Sequence, residues 1–218
     1  VKIITENDSS KCYKVLPENL QEYLGAHKII RDEKRPFAEV GVVSGLSYST
    51  VGGGVLSIEV NKVLGDGKVV LTGRLGDVMQ ESARAALSAV IGIAEKYNID
   101  PQLFRKSDIH IHVPEGAVKK DGPSAGSALA TAIFSAFSGK KVDNNLAMTG
   151  EITIRGNILA IGGLKEKLFA CVRAGITKVL VPSQNKEDVL DLPKEITDNL
   201  NIVYVDTLEQ VLANAIID

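Results

Sequence analysis

The chain has 218 residues, of which 44% are hydrophobic and 24% charged, with a formal net charge of −2 at pH 7. That balance describes a globular chain long enough to bury a sizeable core, and with no basic block it gives no sign of a dedicated nucleic-acid domain. Its apolar runs are short and broken by charges, which excludes a bilayer-spanning helix from the sequence reading.

The chain opens at Val1 without an initiator Met or a visible signal peptide, which suggests a piece of a longer protein. Cys12 and Cys171 are the two cysteines, and neither belongs to a CxxC pair. A zinc site is therefore not expected; a reducing compartment fits, and a bond between the two stays open. A short helix is predicted within Leu16–Leu24, opening after Pro17. The charged run Arg31 to Pro36 reads as a linker, with a boundary near Pro36 that divides a small piece, 1–36, from a domain, 37–218.

Beyond it, β-branched runs predict strands at Val40–Tyr48, Val55–Val63 and Lys68–Thr72. The triplet Gly52-Gly53-Gly54 separates the first two, and Gly65-Asp66-Gly67 separates the second and third. Asp77–Tyr97 has helical spacing. Ile109–Val113 is a short strand with His110 and His112 on one side. A polar stretch from Pro114 to Asp121 leads into a helix from about Pro123 to Ser138, ended by Gly139. That helix carries no charge and is apolar on most sides, so it should be buried. Strands at Leu146–Thr153 and Ile158–Ile161 flank the turn Arg155-Gly156-Asn157. A helix Leu164–Arg173, a strand Ile176–Val181, a helix after Ser183, a strand Ile202–Val205 and a helix from Thr207 follow. The alternation predicts an α/β (α+β) fold with a mixed sheet, β-hairpins and packed helices.

Chemistry concentrates in Asp121-Gly122-Pro123-Ser124-Ala125-Gly126. Ser124 opens the buried helix, where free backbone N–H groups and the helix dipole favour a developing oxyanion. A serine at that position is also an ordinary helix cap, and both readings stay open on spacing alone. A nucleophilic serine needs a base. The histidines are His27, His110 and His112, so a triad with Asp121 or Asp108 is one arrangement. A lysine kept neutral by burial is another. Lys165 and Lys167 both sit in the first turns of a helix beside the apolar stripe Leu164, Leu168, Cys171 and Val172, and helical spacing does not choose between them. The glycine turns Gly122–Gly126 and Gly162-Gly163 before helices also admit a phosphate- or nucleotide-binding module.

Three blocks together, GRLGDVMQESARAA, HIHVPEGAVKKDGPSAG and LAMTGEITIRGNILAIGGLKEK, resemble the proteolytic domain of the ATP-dependent Lon protease, A-type, from about Glu39 to the C-terminus. The resemblance implies a serine endopeptidase with Ser124 as nucleophile and Lys167, the second lysine of GGLKEK, as general base. It implies Thr149 as the hydroxyl that orients this lysine and Asp121 as an acidic neighbour tied to site conformation. Glu81 matches a position near the site and receives no role. Lys119 stands where many members carry proline. Residues 1–36 resemble the tail of the family's small helical ATPase subdomain. The phosphate-binding string G-x-x-x-x-G-K-[ST] does not occur, so no cofactor is expected here, while ATP and Mg2+ are implied for the full-length enzyme. The resemblance further implies unfolded or damaged proteins as substrates, a homohexamer and a cytoplasmic location. A non-catalytic ring-assembly domain would share the fold without the chemistry.

Overall fold

A computed structural model describes residues 14, 16–25, 34–49, 52–114 and 119–217. Cys12, His27 and the start of the polar stretch after Pro114 lie outside the described residues. The chain divides into two compact units, Val1–Arg31 and Asp32–Asp218. In the first, Pro17 opens a 3-10 turn, Pro17–Asn19, that runs into helix α1, Leu20–Leu24, as the proline predicts.

The second unit carries the strands and the remaining helices. In chain order these are β1 (Glu39–Val40), β2 (Val42–Ser49), β3 (Gly52–Leu64), β4 (Val69–Thr72), α2 (Asp77–Ile93), α3 (Gln102–Arg105) and β5 (Ser107–His112). Then come α4 (Gly126–Ser138), β6 (Lys141–Val142), β7 (Leu146–Met148), β8 (Glu151–Ile152), β9 (Ile158–Leu159) and α5 (Leu164–Ala174). The chain closes with β10 (Lys178–Pro182), α6 (Lys186–Leu190), α7 (Lys194–Thr197), β11 (Asn201–Val205), α8 (Leu208–Ala215) and β12 (Ile216–Ile217).

The main sheet has seven strands in the order β11-β10-β7-β2-β3-β5-β4. It is mixed: β11, β10, β7 and β2 run parallel to one another, β3 pairs antiparallel with β2 and with β5, and β4 is parallel to β5. The α/β reading therefore holds. Successive residues of the parallel half enter two different apolar clusters, as the period of two requires. Met148 and Leu180 pack with α2, α4 and α8, while Ala147, Val179 and Val181 pack with α5, Val189 of α6 and Ile196 of α7. Helices thus cover both faces there, and the strands read as near-continuous apolar runs. The β3-β5-β4 half alternates instead: Ile109 and Ile111 are buried, while His110 is exposed and His112 half-buried.

Three predicted elements differ in detail. The strand expected at Val40–Tyr48 breaks at Gly41, whose φ of 76° lets β1 turn away to pair with β6 while β2 joins the main sheet. The Gly52–Gly54 triplet is not a separator, because all three glycines pair within β3 opposite Ser47–Ser49. The strand expected at Leu146–Thr153 breaks after Met148, and its second part pairs with β9. The charged run's end, read as linker, packs into the second unit. The Arg35 guanidinium, 9% exposed, donates to Ser44 Oγ and the Asp143 carbonyl at 3.3 and 3.0 Å, and its burial lowers its pKa.

Candidate active site

Helix α4 is buried over its whole first three turns, from Gly126 to Phe137. Its uncharged, small-residue sequence lets it sit at the centre of the core with α2 on one side and the sheet on another. It fixes the 3-10 turn Pro123–Ala125 in front of it, and so it fixes Ser124 at the surface end of a rigid element. Two further ties hold that turn. The Gly150 N–H donates to the Ser124 carbonyl at 2.9 Å, and the Ser127 N–H donates to the Gly150 carbonyl at 3.0 Å. The strand break after Met148 is what frees Gly150 for both bonds.

Asp121 anchors the same loop from the other side. Its Oδ1 accepts the Met79 N–H of α2 at 3.2 Å and the Gly122 N–H at 3.0 Å, and Lys119 pairs with Oδ2 at 3.5 Å. It therefore supplies the acceptor that the first turn of α2 lacks, since Gly76 at the N-cap has no side chain. A Cβ at Gly76 would stand 2.1 Å from Asp121 Oδ2, so only glycine leaves the carboxylate this seat. Burial by itself would raise the Asp121 pKa. The Met79 and Gly122 N–H bonds and the Lys119 ammonium outweigh it and hold the carboxyl below its usual range.

The opposite wall is α5. A helix turns 100° per residue, so Lys165 and Lys167 point nearly opposite ways. Lys165 is exposed, and Lys167 is 2% exposed. Lys167 Nζ donates to Thr149 Oγ1 at 3.3 Å, and Thr149 Oγ1 donates to the Ser124 carbonyl at 3.2 Å. Thr149 is fully buried at the end of β7 and joins the two walls. Burial lowers the Lys167 pKa to about 8.

Ser124 and Lys167 line one cleft of about 570 Å³, together with Tyr48, Asp121, Glu151 and Gly163 among others. Among the described residues no hydrogen bond joins Ser124 Oγ to Lys167 Nζ; the link runs through Thr149. The histidines stand elsewhere. His110 Nε2 and His112 Nδ1 both contact Thr72 Oγ1, at 2.8 and 2.7 Å, on the outer face of the β5–β4 pair. Asp108 accepts the Asp66 and Lys68 N–H groups, both at 2.9 Å, and so closes the β3–β4 turn. A triad built on these groups and Ser124 is thus not assembled. Glu81 is exposed on α2 and does not line the cleft.

The described part of this cleft combines a serine on a buried helix start, a lysine kept out of water and a hydroxyl between them. Residues 14–218 match the family described as Lon protease (S16) C-terminal proteolytic domain. The chain belongs to that family. The Lon protease of Lachnoclostridium phytofermentans is 48% identical over 94% of this chain and 25% of its own length. Lon protease 1 of Bacillus subtilis is 47% identical over 96% of this chain and 27% of its own, and the Lon protease of Rhizobium meliloti is 47% identical over 99% and 27%. The chain thus spans about a quarter of the length of the curated relatives it matches. The Lon placement makes the domain a peptidase and does not favour the phosphate-binding or ring-assembly readings. Among the described residues no helix is long and apolar enough to cross a membrane.

Sequence reasoning missed Tyr48 and Gly53, which contact α5, and the seat of Asp121 on α2. Helical spacing is also read as leaving Lys165 and Lys167 level, a choice the resemblance then makes, although Leu164, Lys167, Leu168 and Cys171 follow the i, i+3, i+4, i+7 pattern of one buried face. A lysine inside that pattern was the available signal.

Proposed function

We propose that this domain cleaves peptide bonds with Ser124 as nucleophile and Lys167 as general base. The observation that carries this reading is the burial of Lys167 on the wall facing Ser124, which lowers its pKa to about 8. At pH 7 about a tenth of such lysines are neutral, against fewer than about one in a thousand at the ordinary value. Neutral Lys167 takes the Ser124 proton as Oγ attacks the carbonyl carbon. N–H groups at the start of α4 stabilise the oxyanion. The C–N bond breaks, the proton on Lys167 passes to the leaving amine, and an acyl-enzyme remains. Lys167 then takes a proton from water as hydroxide adds to the ester, the C–Oγ bond breaks, and the proton returns from Lys167 to Ser124 Oγ as the carboxylic product leaves. Thr149 holds the lysine amine, and Asp121 holds the loop that carries Ser124.

The resemblance of the three sequence blocks supports a wider reading. The domain is the cutting part of an ATP-dependent protease that degrades unfolded or damaged proteins as a homohexamer in the cytoplasm. ATP and Mg2+ would act in the length of the relatives that this chain does not span, and residues 1–36 would be the tail of their small helical ATPase subdomain. Ser124→Ala tests the chemistry. Cleavage of an unfolded casein-like substrate should disappear while the circular dichroism and melting profile stay those of the parent. Cleavage at the parent rate would remove Ser124 from the mechanism.

A further inference from the structure

Helix α5 is gripped by the β2–β3 hairpin at the level of the proposed base. Gly53, opposite Tyr48 in that hairpin, lies directly on the α5 backbone. A Cβ built there would stand 2.0 Å from the Glu166 carbonyl oxygen and 2.9 Å from the Lys167 nitrogen. Both obstacles are main chain, so no side chain can swing aside. The Tyr48 ring lies over Gly163, the residue that caps the same helix, close enough that a Cβ at 163 would be 2.5 Å from its Cγ. From the far end of the contact, Arg173 Nη2 of α5 donates to the Gly53 carbonyl at 2.9 Å. A glycine inside a strand marks a close backbone approach, and here the backbone approached is that of Lys167.

We propose that Gly53 is a positioning residue for Lys167: its bare Cα lets the hairpin press α5 into the sheet and so sets the depth and direction of the Lys167 amine. The proposal rests on Lys167 being the base. Any side chain at 53 must drive helix and strand apart by about 1 Å, and a catalytic group misplaced by that much costs roughly 10²-fold in rate. Separation also admits water beside the amine, which restores the solvation that burial removes.

The test is the pH profile of peptide cleavage by Gly53→Ala, with Arg173→Ala as a milder partner that removes the exposed bond to the Gly53 carbonyl. In Gly53→Ala, kcat should fall about 10²-fold with KM little changed. The rising limb should move from about 8 toward the ordinary lysine value of 10.5. Arg173→Ala should move the limb the same way by less, with a loss of up to about tenfold in kcat. A purely structural role would lower activity in step with the melting temperature and leave the limb in place. Parental kcat and an unmoved limb in a folded Gly53→Ala overturn the proposal. If that variant does not fold, an unmoved limb in Arg173→Ala overturns it. Lys167→Met separates the two claims: if it retains cleavage the dyad is wrong, and if it is inactive while the limb of Gly53→Ala is unmoved only the positioning role fails.

Discussion

Lys167 and the pair His110–His112 are contrasting candidate bases for Ser124, and the fold gives them opposite surroundings. The histidines belong to β5, whose outer face is exposed at His110 and half-buried at His112. Alternation along β5 turns Ile109 and Ile111 inward, and it therefore turns His110 and His112 to the outer face, against Thr72. Lys167 belongs to α5, which packs against the β2–β3 hairpin and shares an apolar cluster with β7 and β10, and it lies on the helix face that must be buried. The side chain with the less suitable intrinsic pKa is thus the one placed to be retuned. Position relative to the buried layer decides the role here, more than residue type.

The hardest blow to this comparison is Lys167→Met, which keeps length and removes the amine. Peptidase activity should fall by roughly 10⁴-fold or more, the scale of losing one member of a catalytic unit. Stability should move the other way. The folded pKa of about 8 lies below the ordinary lysine value of 10.5, so the unfolded chain holds the proton more tightly. Below pH 8 the fold bears the full cost, about 3 kcal/mol by linkage. As pH rises from about 8 to 10.5 the unfolded state binds more protons than the native state, and this contribution to stability recovers. Lys167→Met should therefore melt several degrees higher at pH 7 in calorimetry, with the gain shrinking above pH 8. A variant that is inactive and less stable at pH 7 would contradict the claim that burial of this amine is costly.

The pH dependence of the unmodified domain sharpens the same contrast. If neutral Lys167 is the base, kcat/KM should rise about tenfold per pH unit on the acid side and level off above about 8. A limb near the ordinary histidine range would instead move attention to the outer face.

Much of the fold was legible because it rests on patterns that local sequence carries. The uncharged run Ser124–Phe137 had to be a buried helix, and alternation at Ile109–Val113 had to give a one-sided strand. Events that depend on distant partners were hidden. Leu146–Thr153 reads as one strand, yet it breaks after Met148, and the break delivers Thr149 to the lysine and Gly150 to Ser124. The Gly52–Gly54 triplet reads as a turn because nothing in the local sequence reports that α5 will lie against it. Asp121 reads as a neighbour of the nucleophile, while its carboxylate is used by α2, about forty residues earlier in the chain. Ser124 was found as a helix-start serine, but spacing could not separate a cap from a nucleophile; the cleft that also holds Lys167 is a tertiary fact.

The smallest expected effect comes from the histidines themselves. Thr72 Oγ1 lies within hydrogen-bonding distance of both rings, so the three side chains form a closed surface unit across β4 and β5. Neither histidine lines the cleft. Replacing both, as His110→Asn with His112→Asn, removes two partners of one half-exposed hydroxyl and leaves the buried Ile109 and Ile111 in place. Stability should change by no more than about 1 kcal/mol, the usual worth of such bonds at a wet surface. Both kcat/KM and the position of its rising limb should stay within about twofold and a few tenths of a pH unit, since surface changes far from a site rarely do more. The double variant asks more than its small effect suggests. A histidine acting at a distance through the loop from His112 to Ser124 would alter the limb even with the fold unchanged, and then proximity to the cleft would no longer be the criterion that separates the two kinds of base.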